Sequence, residues 1–537
     1  KTARIHSFIE KRKAGSFVME LMKKQIHMNR IKGRASTQIT LDDDFIVPDT
    51  MDDMAQVLLS TGDILVEAMK PGAERVQIRG KLDFQVLYRK EEGGLQTLAG
   101  SIPFDETINV TGLNDRDEIT LTWELEDLTA DMIHSRKLGV KALAGFFVQA
   151  ECLTEETAAV DVDRRENEEE IQVKKAPLEL ASAAARRRDT FRIQEVLNLP
   201  ANKPNVDRLL WREMDLRGVN IRPMDGSLFI SGELMIFLLY SGEGENVPVQ
   251  WLEESIPFSG EIPLSQALEE QVPMVHVRLA HRELEAKPDY DGEMREFGAD
   301  VVLELDICLY QEEETDILED VYSTKEELKP VYETAEFQQI LAKNVCKCRV
   351  AEKVSLAERR PVLQILRSSG SVKLDEVTVE EDSLLLEGVL QVSLLYLTSD
   401  DGAPIQAEET AIPFQCHAAA AGVDENSVYQ VIPGLEQLTA VMMGGNSVEV
   451  KGVVSLDVLV QEPLSRQVMT GLESQPLDLL KLQKLPGIVG YIVQPEDDLW
   501  SIAKKFHTTI DTVRRANELS DGPVKPGQKL ILVKEIG

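Results

Sequence analysis

The chain reads as a mainly β protein: three tandem β-rich, sandwich-like repeat domains and a small C-terminal βααβ module. Three observations lead there. A cassette of the form Gly-x-Leu-x-(Phe/Ile/Val)-x-(Val/Leu)-Leu-Tyr occurs at residues 80–88, 232–240 and 388–396, and each copy is followed by a polar loop and Ile-Pro-Phe. The cassettes start 152 and 156 positions apart, the length of an ordinary domain and far longer than a solenoid unit. Residues 487–537 break the pattern, with helical spacing between two short strands.

The cassette has the periodicity of a strand. Leu82, Phe84, Val86 and Tyr88 alternate with Lys81, Asp83 and Gln85, which gives one apolar and one polar face. The third copy keeps the alternation through Gln391 and Ser393. The second is apolar from Leu234 to Tyr240 and is expected to be covered on both faces or to lie centrally in its sheet. The glycine that opens each copy suits a bend or bulge, and the proline of Ile-Pro-Phe suits a strand start or an edge. None of these residues is a catalytic candidate; all read as core strand and turn.

Bulk properties narrow the function classes. The chain has 537 residues, a formal charge of −35 and a pI near 4.7. Such a surface disfavours general binding to nucleic acid or anionic lipid and suits a basic partner. A hydrophobic content of 43% fits folded domains. No apolar run approaches the ~20 residues of a membrane span. Five scattered cysteines do not make a disulfide framework, and a reducing compartment is expected.

In chain order, residues 1–35 are basic, with Lys11, Arg12, Lys13, Lys23, Lys24, Arg30, Lys32 and Arg34. A lead-in, or a strand joined to the first domain, is favoured over a nucleic-acid or membrane arm. The first domain spans 36–153. Asp42-Asp43-Asp44 reads as a solvated turn, because no spaced set of calcium ligands follows it. Met51, Met54, Val57 and Leu58 have helical spacing and suggest one short helix. Pro48, Met54, Val57 and Leu58 align with Pro200, Val206, Leu209 and Leu210 of the second copy, so the repeat extends upstream of the cassette. A charged linker is expected at 154–188, around Glu168-Glu169-Glu170 and Arg186-Arg187-Arg188. The second domain spans 189–310, an acidic linker 311–335, the third domain 336–460 and a connector 461–486.

No catalytic or cofactor site emerges. Cys346-x-Cys348 alternates like a strand, and no second Cys or His pair completes a zinc site. Cys416 and His417 are adjacent on a strand pattern, so their side chains point apart, unlike a nucleophile and its base. Phosphate loops, dinucleotide fingerprints and nucleophile elbows are absent from the sequence. The expectation is a protein without enzymatic activity, cofactor or metal.

The last module, 487–537, starts with the strand Tyr491-Ile492-Val493 and the acidic turn Pro495-Glu496-Asp497-Asp498, which can cap a helix. Leu499, Ile502, Ala503 and Phe506 then share one helical face. Thr508-Thr509 can cap a second helix carrying Ile510, Val513 and Ala516, and Lys525-Pro526-Gly527-Gln528 turns into a last strand. The module resembles the lysin motif (LysM) family through Tyr491-x-Val493, Leu499-Trp500-Ser501-Ile502-Ala503, Asn517-x-Leu519 and Pro526-Gly527-Gln528-x-Leu530. The resemblance implies binding of N-acetylglucosamine polymers through two loops. They map to Glu496, Asp497 and Asp498, and to Asn517, Glu518 and Leu519 through Val524. The first loop departs from the family's usual Gly-Asp-Thr at Glu496 and Asp498. Three adjacent acids there favour a basic protein surface over the anionic wall. Neutralising Asp497 and Asp498 is expected to slow partner association.

The repeats, with Asp42-Asp43-Asp44-Phe45-x-x-Pro48-Asp49 ahead of the first, resemble SPOCS (DUF3794) domains. Three of these before a lysin motif resemble the LysM-containing spore coat morphogenesis proteins of clostridia. The resemblance runs from Met19 onward, and translation is expected to start there. It implies a mother-cell protein at the forespore surface that tethers coat layers, with the spore-coat basement-layer ATPase or another coat protein as partner. The alternative is a peptidoglycan-binding cell-wall protein.

Overall fold

The computed structural model describes residues 17–114, 117–163, 171–244, 249–356, 361–400, 404–444, 446–477, 486–520 and 522–533. A two-residue strand, β1 (Phe17–Val18), precedes the repeats. The first contains β2 (Leu21–Ile46), β3 (Met54–Gly72), β4 (Arg75–Lys90), β5 (Leu95–Asn109), β6 (Glu118–His134) and β7 (Lys137–Val162). The second contains β8 (Ile171–Asn198), β9 (Val206–Met224), β10 (Ser227–Gly242), β11 (Gln250–Pro263), β12 (Val272–Pro288) and β13 (Met294–Ser323). The third contains β14 (Glu326–Ser355), β15 (Val362–Glu380), β16 (Ser383–Thr398), β17 (Ile405–Ala419), β18 (Val428–Gly444) and β19 (Ser447–Pro476). Each repeat is a sandwich of two antiparallel sheets. In the first the orders are β3-β4-β5 and β2-β7-β6, and the two sheets enclose one apolar core. The other repeats have the same topology and cores of their own.

The cassettes are the central strands β4, β10 and β16. Tyr88, Tyr240 and Tyr396 are buried at equivalent places. The Tyr88 hydroxyl donates to the Asp52 carbonyl, and that of Tyr240 to the matching Pro204 carbonyl. The cassette glycines lie beside register shifts in the neighbouring strand. A Cβ on Gly80 would stand 2.2 Å from the Leu65 carbonyl oxygen and 2.7 Å from the Phe104 ring. Phe258 and Phe414 cover Gly232 and Gly388 in the same way. The Ile-Pro-Phe aromatic thus fills the space a side chain would take, and the prolines lie on the edge strands β5, β11 and β17.

Several expectations change. Met54–Leu58 is strand, not helix. Shifts between Met54 and Gln56 and between Val57 and Leu59 move apolar residues off strict alternation and mimic helical spacing. Asp42–Asp44 lies on β2, not in a turn, with Asp44 2.6 Å from Lys137 and Asp42 3.7 Å from Lys141. The basic residues from Lys23 to Arg34 are also on β2. Lys24 pairs with Glu313 at 2.9 Å and Lys32 with Asp117 at 2.7 Å. Lys11, Arg12 and Lys13 lie outside the described residues, as does Glu168-Glu169-Glu170.

The largest change concerns the linkers. Residues 171–188 and 311–323 belong to β8 and β13, 326–335 to β14, and 461–476 to β19; β7 continues through 162. Beyond each sandwich these long strands pair as two-stranded ribbons, β2 with β7, β8 with β13 and β14 with β19. The ribbons bury their inner faces against one another. Ile26, Leu178 and Ala335 are equivalent, as are Met28, Leu180 and Phe337, and Ala158, Ile317 and Val468; together they form one buried cluster. Farther out, Ala159, Leu318 and Met469 and then Val162, Val321 and Leu472 repeat the pattern. Met19, Ile171 and Leu328 are matched in this layer, and Phe17 and Val18 pair with Ser474 and Glu473 of β19. At the opposite end, Leu87, Leu239 and Leu395 from the three cassettes meet in another shared cluster. This packing covers the outer face of β10, as its uniformly apolar sequence predicts. The three repeats thus surround a pseudo-threefold axis.

The axis is not uniform chemically. Leu59 and Trp211 are matched by Arg367 in the third repeat, with only 8% of its surface exposed. Its guanidinium pairs with the Glu213 carboxylate, which also accepts from Trp211 Nε1 at 2.7 Å. Burial pushes the Arg367 guanidinium down to about 9, so it is charged at neutral pH. Arg367→Leu alone should therefore destabilise the chain by about 3 kcal/mol by leaving Glu213 buried and unpaired. Arg367→Leu with Glu213→Leu should recover most of that loss; urea unfolding of the two variants against wild type tests both expectations.

Candidate functional site

The C-terminal module is built as its periodicity predicts: β20 (Ile488–Ile492), α1 (Leu499–Lys505), α2 (Ile510–Asn517) and β21 (Lys529–Val533). β20 and β21 pair antiparallel, Tyr491 opposite Leu530. Val493, Leu499, Ile502, Ala503, Val513, Leu530 and Leu532 form its core.

The first loop puts its acids to structural use. Asp497 accepts from the Tyr491 hydroxyl at 2.6 Å and the Gln494 amide at 2.8 Å. Asp498 caps α1, its carboxylate accepting from the Ser501 amide at 2.7 Å, while its own amide donates to the Ser501 hydroxyl at 3.1 Å. That is the reciprocal capping arrangement. Glu496 is exposed. In the second loop, Asn517 donates to the carbonyls of Val513 at 2.8 Å and Ile531 at 2.7 Å and accepts from the Ile531 amide at 2.6 Å. Glu518 adopts a left-handed conformation, φ 52°, and ends α2. Leu519 and Val524 pack against the module's core. A cleft of about 600 Å³ collects Asn517 and Glu518 with Gly490, Tyr491, Ile492 and Ile531; Glu496, Asp497 and Asp498 do not line it. On the sheet face beside it Ile488, Ile492 and Ile531 are each more than half exposed.

The module is also seated on the second ribbon. Trp500 Nε1 donates to Asp320 at 2.8 Å, and the Lys504 ammonium lies 2.7 Å from the same carboxylate. Tyr322 packs edge-on against Trp500, with centroids 4.9 Å apart, and donates to the Thr508 carbonyl at 2.9 Å. Its ring is buried in the module's core. Asp320 and Tyr322 fall in the expected acidic linker, so their role was hidden. A bulge between Leu318 and Asp320 turns Asp320 and Tyr322 to the face opposite Leu318 and Val321, so no simple alternation marks them. Elsewhere, Cys416 packs toward the third core, burial pushing its thiol up to about 11, while His417 is exposed and 3.2 Å from Glu380. The two side chains point apart. Among the described residues no group of three or more metal-ligating side chains converges.

Two outcomes follow from these contacts. Asp320→Ala should release the seat: amide exchange in 499–508 should rise with the rest of the chain unchanged, as hydrogen-exchange mass spectrometry would show. Asp498→Ala should cost the module about 1 kcal/mol through its lost cap. Asp497 is held below the ordinary carboxylate range, first by the Tyr491 hydroxyl and then by the Gln494 amide. Its folded value lies below its unfolded one, so its contribution is complete above the usual carboxylate value and is lost as the pH falls. Melting of the module should therefore become easier on acidification below about pH 4, and Asp497→Asn should blunt that dependence. Neutralising Asp497 and Asp498 is therefore first a test of folding, and Glu496 is the better probe of association.

Comparison with family models matches residues 53–133, 205–287 and 361–443 to the SipL, SPOCS domain, and 491–533 to the LysM domain. The three matches cover β3–β6 and their counterparts; β2, β7 and the ribbons lie outside them. No curated protein and no solved structure matches the chain. The SPOCS domains mark a sporulation protein, and the LysM domain is of a kind that binds peptidoglycan. Among the described residues no helix is long and apolar enough to cross a membrane. Three SPOCS domains followed by a C-terminal LysM domain make the chain a LysM-containing SPOCS-domain protein.

Proposed function

We propose that this is a non-enzymatic assembly protein of the spore coat, acting in the mother cell at the forespore surface. In this reading the three sandwiches and their ribbons are a spacer that tethers coat layers. The LysM domain is the docking head, and its partner is the spore-coat basement-layer ATPase or another coat protein. The observation that carries the reading is the exposed apolar sheet face of Ile488, Ile492 and Ile531, which suits a protein surface. Asp497, Asp498 and Asn517 are engaged within the fold, which leaves fewer polar groups for sugar hydroxyls.

The second reading, peptidoglycan binding, draws on the LysM match and on the cleft beside Asn517. The two separate in one experiment. Wild type and Ile492→Glu/Ile531→Glu are affinity-purified from sporulating cells, and both are sedimented with purified peptidoglycan. Loss of the co-purifying coat protein, with little sedimentation of either form, is the expected result. Strong sedimentation of wild type with no dependence of coat proteins on the LysM face would replace the first reading by the second.

A further inference from the structure

Three of the five free cysteines, Cys346, Cys348 and Cys416, pack against the core of the third repeat, and all three are partly exposed. They lie on β14 and β17, edge strands of the two different sheets of that sandwich. No ladder joins these edges; side chains do. Asn344 Nδ2 donates to the Ala419 carbonyl, and the Cys348 thiol donates to the Gln415 carbonyl at 3.5 Å. These contacts run the two strands antiparallel and leave Cys346 beside Cys416 between them. There the two thiols face each other, each acting on the other's proton.

The other repeats hold no thiol at these places. By cross-strand partner, Cys346 opposite Leu456 corresponds to Asp189 opposite Leu305 and to Thr37 opposite Phe146. Cys416 opposite Leu386 corresponds to Gly260 opposite Ile230 and to Glu106 opposite Ile78. In the second repeat the Phe191 ring, which matches Cys348, takes the space a side chain on Gly260 would need. The third repeat closes the same edge with sulfur instead. Cys346 and Cys348 are two apart on one strand, so their Cα atoms stand ~6.8 Å apart, at the far limit for a disulfide. A bridge from β14 to β17 has no such restriction.

We propose that Cys346 and Cys416 form a reversible disulfide that locks the two sheets of the third sandwich together, with a small-molecule disulfide as oxidant. The Cys346 thiol loses its proton, and its sulfur attacks one sulfur of the small disulfide, releasing one small thiolate. Cys416, deprotonated in turn, attacks the Cys346 sulfur of the mixed disulfide. The bond between the two protein sulfurs forms as the second small thiolate leaves. Two protein thiols are thereby oxidised, the small disulfide is reduced to two thiols, and these take up the two protons the protein gave. Burial raises the Cys346 thiol and pushes that of Cys416 up to about 11, so exchange is slow near neutral pH and quickens as the pH rises. β14 continues into the third ribbon, so the bond ties the cassette sheet to a strand of the hub.

The test equilibrates the whole chain with reduced and oxidised glutathione, alkylates the remaining thiols and maps the bonds by non-reducing tryptic mass spectrometry. Cleavage after Lys347 separates Cys346 from Cys348, so the bridge is assigned to one of them. A single intramolecular cross-link between the peptide 344–347 and the one carrying Cys416 is expected. It should form more than about tenfold faster at about pH 8.5 than at about pH 7 and be lost in dithiothreitol. The oxidised chain should melt several degrees above the reduced one. Cys346→Ser and Cys416→Ser should each abolish the cross-link and the shift. A bridge to the Cys348 peptide, glutathione adducts in place of a bridge, or a bridge that leaves melting unchanged would overturn the assignment.

Discussion

A two-stranded ribbon has only one face to bury and nothing of its own to bury it against. In this chain that constraint is met by three ribbons burying their inner faces in common. Within their own repeat Ile26 and Met28 share the cluster with Ala158 alone; its other buried members are Leu178, Leu180, Ile317, Ala335, Phe337 and Val468 from the other two. The sandwiches hold separate cores, so each has the means to fold locally. The ribbons depend on all three being present. Their continuity with β2, β7, β8, β13, β14 and β19 then sets how the sandwiches are disposed around the axis.

Threefold repetition alone would leave the order of the repeats ambiguous, because equivalent apolar layers are interchangeable. Charged and aromatic residues break that equivalence. Arg367 engages Glu213, whereas the matching places hold Leu59 and Trp211. At the root of the ribbons Glu151 pairs with Arg186 of the next repeat and accepts from Asn29 at 2.6 Å, while the corresponding residues are Tyr310 and Gln461. Each such contact is satisfied by one neighbour only. Misassembly in another order would bury a charge without its partner, a cost of several kcal/mol.

The sandwiches were legible in the sequence because their strands alternate in the ordinary way and their glycines and aromatics recur. The bulge opposite Gly80 and the ring of Phe104 that covers it explain why both residues recur at fixed separation. The ribbons were obscured by composition. Their inner faces use small or mixed residues such as Ala158, Ala159 and Ala335, and their outer faces carry lysine, arginine and glutamate in runs that resemble a solvated linker. The equivalence of Met19, Ile171 and Leu328 was present in the sequence, upstream of the stretch in which the repeats look alike. In the LysM domain, the helices and the capping role of the acidic turn were readable from spacing. The bond between Asp497 and Tyr491 was not, because it joins the turn to the preceding strand. The seat on Asp320 and Tyr322 joins segments some 180 positions apart, beyond any local pattern.

The ribbon hub arises from one polypeptide, although its geometry is that of a trimer. Three separate chains would assemble in a concentration-dependent way and would carry three heads. Here the hub holds at any dilution, and its threefold body bears one LysM domain, seated on the second ribbon. The stoichiometry of heads to sandwiches is therefore written into the covalent chain: one to three, with the head at a single azimuth around an axis that would otherwise offer three.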